Sequence, residues 1–402
     1  MSAESLFFRR KRGSPVINVV DKSKCSGCKA CANICPVGAI AFEDDAEGVW
    51  YPKVDADKCI RCGLCEKACP FVDEGHGVPA ENRSWETKFF AARLKNVAEL
   101  ANVSSGGAFQ GLASAVVSGG GVVYGVAQED VDRVFHMRAS DLDELKKTRR
   151  SKYLQSDTGN SYAQAKRDLL SGKTVLFSGT GCQIAGLNRF LGKEYGNLYT
   201  CEVVCHGVPS RKIWDLYRKE KEQREGKKIA DLVFRDKSAG WRGNQYKITY
   251  DDGSVERERS SVQLFHAGYL RGLFYRPSCG SCPFASMPRT ADVTLADYWR
   301  YEGPLDAGGF GVSLVAANNR RGMELIESAA ALLDIEPTSR ENALRSCRHM
   351  DEHPAENPRR KAFMEKAFAE GYCAAAEKFI LRDGGRSLLG RVKAGLKAIL
   401  GR

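Results

Sequence analysis

Short apolar runs alternate with stretches of helical period along most of the chain. Residues 88–94 read as a strand, 107–117 as a helix and 121–127 as a second strand. Residues 160–170 have helical spacing, 174–178 form a short buried strand, 181–191 a helix and 197–204 another strand. Such alternation predicts an α/β layout. Residues 230–235, 245–250 and 254–259 read instead as an antiparallel group, the last two joined by the turn Asp251-Asp252-Gly253. Residues 87–375 are therefore expected to form one mixed α/β domain.

Ahead of that domain, residues 17–20, 39–42 and 49–54 read as small strands around a repeat. Cys25, Cys28, Cys31 and Cys35 precede Pro36, and Cys59, Cys62, Cys65 and Cys69 precede Pro70. Both runs read C-x2-C-x2-C-x3-C-P, and each position of the second is the first plus 34, which marks duplicated half-domains. Three cysteines spaced two apart on a tight loop can aim their sulfurs at one inorganic cube, and Gly27 and Gly63 let the loops curl. In two-cluster ferredoxins the fourth cysteine of each run ligates the other cluster. One 4Fe-4S cluster is thus expected on Cys25, Cys28, Cys31 and Cys69, and a second on Cys59, Cys62, Cys65 and Cys35. Short helices should carry Cys35 and Cys69, each ended by its proline. Zinc sites usually pair C-x2-C units across a longer gap, so this crowding favours iron–sulfur. The expected order is a bacterial ferredoxin-like α+β domain (15–73), a linker (74–86) rich in turn residues, and the mixed α/β domain (87–375).

The length of 402 residues leaves room for two or three domains, and 43% hydrophobic with 28% charged residues is ordinary for a soluble globular chain. Of fifteen cysteines, the first eight fall within 45 residues at metal-ligand spacing, which points to a reducing cytoplasm rather than a disulfide framework. Arg9-Arg10 could suggest twin-arginine export, but an export signal needs about 7–15 apolar residues next. Only Val16-Ile17-Asn18-Val19-Val20 follows. No stretch approaches the roughly 18 apolar residues of a membrane span. The formal charge of +11 counts every cysteine as neutral. A 4Fe-4S core on four thiolates carries about −2, so clusters offset much of the excess. With no recognition helix, zinc finger or RNA-binding motif, a nucleic-acid partner is not expected. Residues 376–402 form a basic amphipathic tail in which Leu388, Val392, Leu396 and Ile399 share a stripe. It suits a membrane surface, a partner, or its own domain equally well.

Seven cysteines remain. Cys279 and Cys282 form a C-x2-C clamp bracketed by Pro277 and Pro283. Cys182 follows Ser178-Gly179-Thr180-Gly181, where a strand should turn into a helix whose positive N-terminus favours a thiolate. Cys205 ends a strand before His206-Gly207-Val208-Pro209. Strand ends and helix starts converge on one edge of an α/β sheet, so a third site is expected there. The alternative is inert thiols at Cys182 and Cys205 with a zinc clamp elsewhere. Cys201, Cys347 and Cys373 read as structural thiols.

Several separated segments carry a family resemblance: Ser104-Ser105-Gly106-Gly107-Ala108-Phe109, Ser151-Lys152-Tyr153, 177–187, Cys205 to Ser210, Phe234-Arg235-Asp236-Lys237, 277–299 and Asn357-Pro358-Arg359-Arg360. Together, from about residue 88 to the early 370s, they resemble the beta subunit of coenzyme F420 hydrogenases and dehydrogenases. The resemblance implies FAD and a third 4Fe-4S cluster, with Cys182, Cys205, Cys279 and Cys282 as its ligands. It places Ser105, Gly106, Gly107, Lys152, Tyr153, Ser178, Gly179 and Thr180 at the flavin. Glycines and a helix N-terminus suit flavin phosphates. Many relatives carry proline where this chain has Gly181. His206 is a candidate proton donor at the flavin edge, or else a loop-fixing hydrogen-bond partner.

The expected function is an iron–sulfur flavoprotein oxidoreductase passing electrons through its clusters to FAD and on to deazaflavin or another small organic acceptor. A ferredoxin or a hydrogenase or dehydrogenase partner would supply the electrons. Alternatives are an electron-transfer subunit with no substrate of its own, or a reductase of a specialised metabolite such as a glycan or pigment precursor. The cysteine pattern sets a count: anaerobic protein should hold about twelve irons per chain by elemental analysis, and about eight would remove the third cluster.

Overall fold

The computed structural model of the protein describes residues 17–72, 75–259 and 262–382. The stripe of Leu388, Val392, Leu396 and Ile399 lies outside the described residues. Its first elements are α1 (Ala30–Ile34), β1 (Ile40–Asp44), β2 (Trp50–Val54), α2 (Leu64–Lys67) and α3 (Ala80–Ser84). Next come β3 (Lys88–Leu94), α4 (Ala108–Ser118), β4 (Val122–Glu129), β5 (Arg133–Ala139), α5 (Leu142–Lys146), α6 (Ser161–Leu170), β6 (Val175–Thr180), α7 (Gly181–Leu191), β7 (Leu198–Val203) and α8 (Arg211–Glu225). The remainder includes β8 (Ile229–Asp236), β9 (Gln245–Tyr250), β10 (Val255–Arg259), α9 (Leu264–Leu270), β11 (Val293–Asp297), β12 (Ser313–Ala317), α10 (Arg320–Ser328) and β13 (Leu333–Thr338).

The N-terminal segment is ferredoxin-like: β1 and β2 pair antiparallel, and α1 and α2 carry the cysteine loops. The helices hold Cys31 and Cys65 rather than Cys35 and Cys69. Both expected residues precede a proline, which disfavours helical backbone there, and Cys35 is already extended. Residues 17–20 form no strand; the apolar signal comes from Ile17, buried against Cys31 and Cys65.

The large sheet has the order β13-β3-β12-β11-β7-β6-β4-β5. Its centre, β4, β6, β7 and β11, is parallel, and antiparallel strands flank it on both sides. Strands in such a centre are covered on both faces, and Val175, Leu176 and Phe177 of β6 are fully buried. A separate antiparallel sheet, β10-β9-β8, matches the expected group. The domain is mixed α/β.

Two local devices set up the site. Thr180 and Gln183 form a capping box that starts α7 directly from the end of β6. Ser210 caps α8 by accepting from Ile213 N, and its hydroxyl also donates to Glu47 O in the β1–β2 turn. Arg211 N donates to Gly48 O at 3.1 Å, so the ribbon is seated on the start of α8.

Residues 75–86 do not behave as a loose connector. They contain α3, and buried Asn82 donates to Arg289 O at 2.9 Å and Ala291 O at 3.0 Å. Asn319 Nδ2 donates back to Asn82 Oδ1 at 2.7 Å.

Gly106 lies where a Cβ would stand 2.3 Å from Ala92 O and 2.7 Å from Ser313 N. Any side chain there pushes β3 from β12. Gly106→Ala should therefore lower stability by about 1–3 kcal/mol or more in urea unfolding. Gly196→Ala, facing open space, should stay within about 0.5 kcal/mol.

Candidate functional site

The first cysteine set is built on α1 and its preceding loop. Gly27 adopts φ +68, and a Cβ there would meet Trp50 Nε1 at 2.4 Å and Arg276 Nη1 at 2.7 Å. The loop thus needs glycine for its backbone angle and for space. Burial, followed by the charges of Cys28, Cys25, Cys69 and Cys65, raises the Cys31 thiol well above its ordinary value. Burial also pushes the Cys28 thiol up to about 12, with Cys182 and Cys25 adding to it.

The other repeat cysteines form a second group: Cys35, Cys59, Cys62 and Cys65 line one cavity. Cys62 is exposed at its rim. Cys35, from the first run, thus lines a cavity with the first three cysteines of the second.

The third set converges as well. Cys182 at the start of α7, Cys205 just past β7, and Cys279 and Cys282 on the 3-10 turn Pro277–Ser281 and its end line one cavity. It sits at the carboxyl ends of parallel strands β6 and β7, where an α/β sheet gathers its ligands. Burial pushes the Cys205 thiol up to about 12 and Cys279 to about 11, and it raises Cys182 and Cys282 too. Four thiols on one cavity, each raised by burial, suit a multivalent metal core that would bind them as thiolates. Among the described residues, no three His, Cys, Asp or Glu side chains group closely enough for a single metal ion.

Sequence reasoning missed the cations and their counter-ion here. Arg276 and Arg289 line the same cavity and are 1% and 2% exposed. Arg289 pairs with the fully buried Glu202 of β7, which also accepts from Thr290 and from Thr294 Oγ1 at 2.9 Å. No periodicity marks such residues; only the fold brings them to the cysteines.

The residues assigned to the flavin by resemblance separate into two places. Ser104 Oγ lies 2.8 Å from Ser151 Oγ, and Ser105 O accepts from Lys237 Nζ at 2.6 Å. Arg235 Nη1 reaches the Tyr153 hydroxyl at 3.4 Å and Asp297 at 2.8 Å, the latter at the end of β11. Lys152 Nζ donates to Val126 O at 2.7 Å. Ser105, Lys152, Tyr153, Arg235 and Lys237 thus form a cationic rim on the same sheet edge as the third cysteine set. Burial, with Arg150 near the first and Arg235 near the second, pulls Lys152 and Lys237 each down to about 7. Arg235 Nη2 and Trp241 Nε1 are buried without partners, a fit for a polar ligand at this rim.

Gly107, at φ +78, starts α4 but its Cβ position is filled by Leu94 and Val103, as Gly106's is by backbone. Ser178 and Gly179 form no free turn: they continue β6 in register with Cys201 and Glu202 of β7. The reason is the capping box, which lets helix follow strand without a loop. Thr180 lines the third cysteine cavity, its hydroxyl 3.2 Å from Cys182 Sγ. His206 Nε2 lies 3.4 Å from Leu270 O, and burial with His349 nearby pulls its pKa down to about 4. Cys201 is buried in the core, whereas Cys373 is exposed.

Comparison with known proteins gives two family matches. Residues 24–72 match the 4Fe-4S dicluster domain, and residues 172–341 match the C terminus of the coenzyme F420 hydrogenase/dehydrogenase beta subunit. Among solved structures, a chain of the F420-reducing NiFe hydrogenase complex from Methanosarcina barkeri, studied by xenon derivatization, is 14% identical. That match covers 70% of this chain and 92% of the other at a TM-score of 0.45. No curated protein matches.

Removing the carboxylate beside Arg289 tests the electrostatics of the third cavity. Glu202→Ala leaves a buried guanidinium uncompensated and should cost about 3–5 kcal/mol, seen as a lower urea midpoint.

Proposed function

We propose that this chain is an iron–sulfur flavoprotein oxidoreductase. It joins a 4Fe-4S dicluster segment to a module of the family defined by the C terminus of the coenzyme F420 hydrogenase/dehydrogenase beta subunit. In this reading it takes electrons from a reduced ferredoxin or a hydrogenase or dehydrogenase partner. It delivers them to deazaflavin or another small organic acceptor. One observation carries the proposal: Cys182, Cys205, Cys279 and Cys282 come together in one cavity at the carboxyl ends of β6 and β7, in a chain whose N-terminal dicluster segment brings Cys35, Cys59, Cys62 and Cys65 to a cavity of their own.

The residues that would hold the groups are those already described. Cys25, Cys28, Cys31 and Cys69 would hold one cluster, Cys35, Cys59, Cys62 and Cys65 another, and Cys182, Cys205, Cys279 and Cys282 the third. Ser105, Lys152, Tyr153, Arg235 and Lys237 would hold FAD. Bound clusters exchange single electrons, and FAD converts these into two-electron or hydride transfer. The chain's own part is placement and exclusion of water. Buried Arg276 and Arg289 offset the negative charge that thiolates bring into the third cavity. Arg235, whose Nη2 has no hydrogen-bond partner, offers the cationic group that flavin phosphates or an anionic ring would use. His206, one residue from Cys205, would fix the loop through Leu270 O. The same ring is the candidate proton carrier at that edge.

Cys282→Ser in anaerobically purified protein should lose about four irons per chain and keep about eight. Unchanged iron content would contradict the third cluster. In the parent protein, reduced ferredoxin should bleach the flavin absorbance, and an oxidised small acceptor such as deazaflavin should restore it catalytically. Bleaching with no acceptor able to restore it would favour an electron-transfer subunit serving a larger complex.

A further inference from the structure

Cys205 and the cationic rim are joined through one buried side chain. Cys205 opens the loop between β7 and α8, and the end of α9 grips that loop. Tyr269, 3% exposed, donates its hydroxyl hydrogen to Gly207 O at 3.0 Å. Gly207 N in turn donates to Cys205 Sγ at 3.3 Å. The hydroxyl thus holds the carbonyl of the same residue whose N–H is aimed at the sulfur.

The loop has little room to do otherwise. Gly207 has φ +112, a backbone angle suited to glycine, and a Cβ there would stand 2.9 Å from the Tyr275 ring. Arg276 N donates to Val208 O at 2.8 Å and Ser210 N to Phe274 O at 2.9 Å, so residues 274–276 pin the rest of the loop. The Tyr269 ring meanwhile meets the rim. Its centroid lies 5.3 Å from that of Tyr153 with the planes at 69°, the edge-to-face contact of two aromatic rings. Arg235 Nη1 reaches the hydroxyl of that Tyr153 at 3.4 Å. His266, with its ring 5.1 Å from Tyr153 and its Nδ1 2.8 Å from the Tyr246 hydroxyl, backs the pair. Arg235, Tyr153, Tyr269, Gly207 and Cys205 therefore form a continuous run of contacts from rim to sulfur.

We infer that Tyr269 is a positioning residue that ties the third cysteine set to the cationic rim, its hydroxyl keeping Gly207 N–H on Cys205 and its ring keeping Tyr153 in place. This rests on the reading of three clusters and FAD given above. Electrons then leave the third set on its Cys205 side: each is lost by the cluster and gained by FAD, and no bond forms or breaks at Tyr269. A hydrogen bond to a cluster sulfur raises reduction potential, because the reduced cluster is the more negative form.

The test pairs Tyr269→Phe with Tyr275→Phe in the full anaerobic chain, by iron analysis and an EPR-monitored redox titration. Both remove a buried hydroxyl from a ring beside the Cys205 loop, but the Tyr275 hydroxyl has no hydrogen-bond partner. In Tyr269→Phe the third cluster's potential should move negative, by up to about 59 mV for a tenfold change in the one-electron equilibrium, while the two N-terminal potentials stay. Tyr275→Phe should keep all three. No shift in Tyr269→Phe, or an equal shift in both proteins, overturns the inference. Loss of about four irons from Tyr269→Phe alone supports it, and loss from all three sites overturns it. Rapid mixing with reduced ferredoxin reads the ring: Tyr269→Leu should bleach its flavin about tenfold more slowly than Tyr269→Phe, and equal rates overturn the contact with Tyr153 as part of the link. A parent protein with about eight irons, or without flavin, instead overturns the reading beneath.

Discussion

Burying an arginine costs several kcal/mol unless its N–H groups find partners, and Arg276 finds them across the boundary between the two modules. Its acceptors Cys25 O and Trp50 O, and the Tyr51 ring 4.8 Å away, belong to the N-terminal segment; Gln155 belongs to the larger domain. Without the ribbon the guanidinium would lose Cys25 O, Trp50 O and the Tyr51 ring and keep only Gln155, so the two modules stabilise each other's placement. The same residue heads the turn that carries Cys279, and that turn lies beside the loop that carries Cys25. Docking of the modules and assembly of the cysteine sites are therefore one event in packing terms.

The electrostatics run the same way. Every thiol of the third cavity is raised by burial, so the cysteines alone resist ionisation. A metal core bound there would reverse that balance, and the nearby Arg276 and Arg289 would limit the charge it left behind.

Much of this was legible in the residues. β3, α7 and β9 have the bounds expected from periodicity, and Cys35 of the first cysteine run lines a cavity with Cys59, Cys62 and Cys65 of the second. Other features depend on tertiary contact. The strand β12 is a five-residue apolar run, which periodicity alone does not tell from a helix segment, and β13 carries Pro337 at the edge of the sheet. Cys35 and Cys69 lie outside helices because each precedes proline, a local rule that outweighs the helical spacing. Ser178 and Gly179 look like a phosphate loop, yet Thr180 and Gln183 cap α7 so tightly that the strand continues through them. Arg276, Arg289 and Glu202 carry no sequence signal of their role, since each gains it from a partner far along the chain.

The most direct test is where iron sits. Anomalous diffraction at the iron edge from anaerobic crystals should give three separate iron centres. One should lie among Cys25, Cys28, Cys31 and Cys69, one among Cys35, Cys59, Cys62 and Cys65, and one among Cys182, Cys205, Cys279 and Cys282. Iron at the first two alone, or a zinc signal at Cys279 and Cys282, would contradict the account.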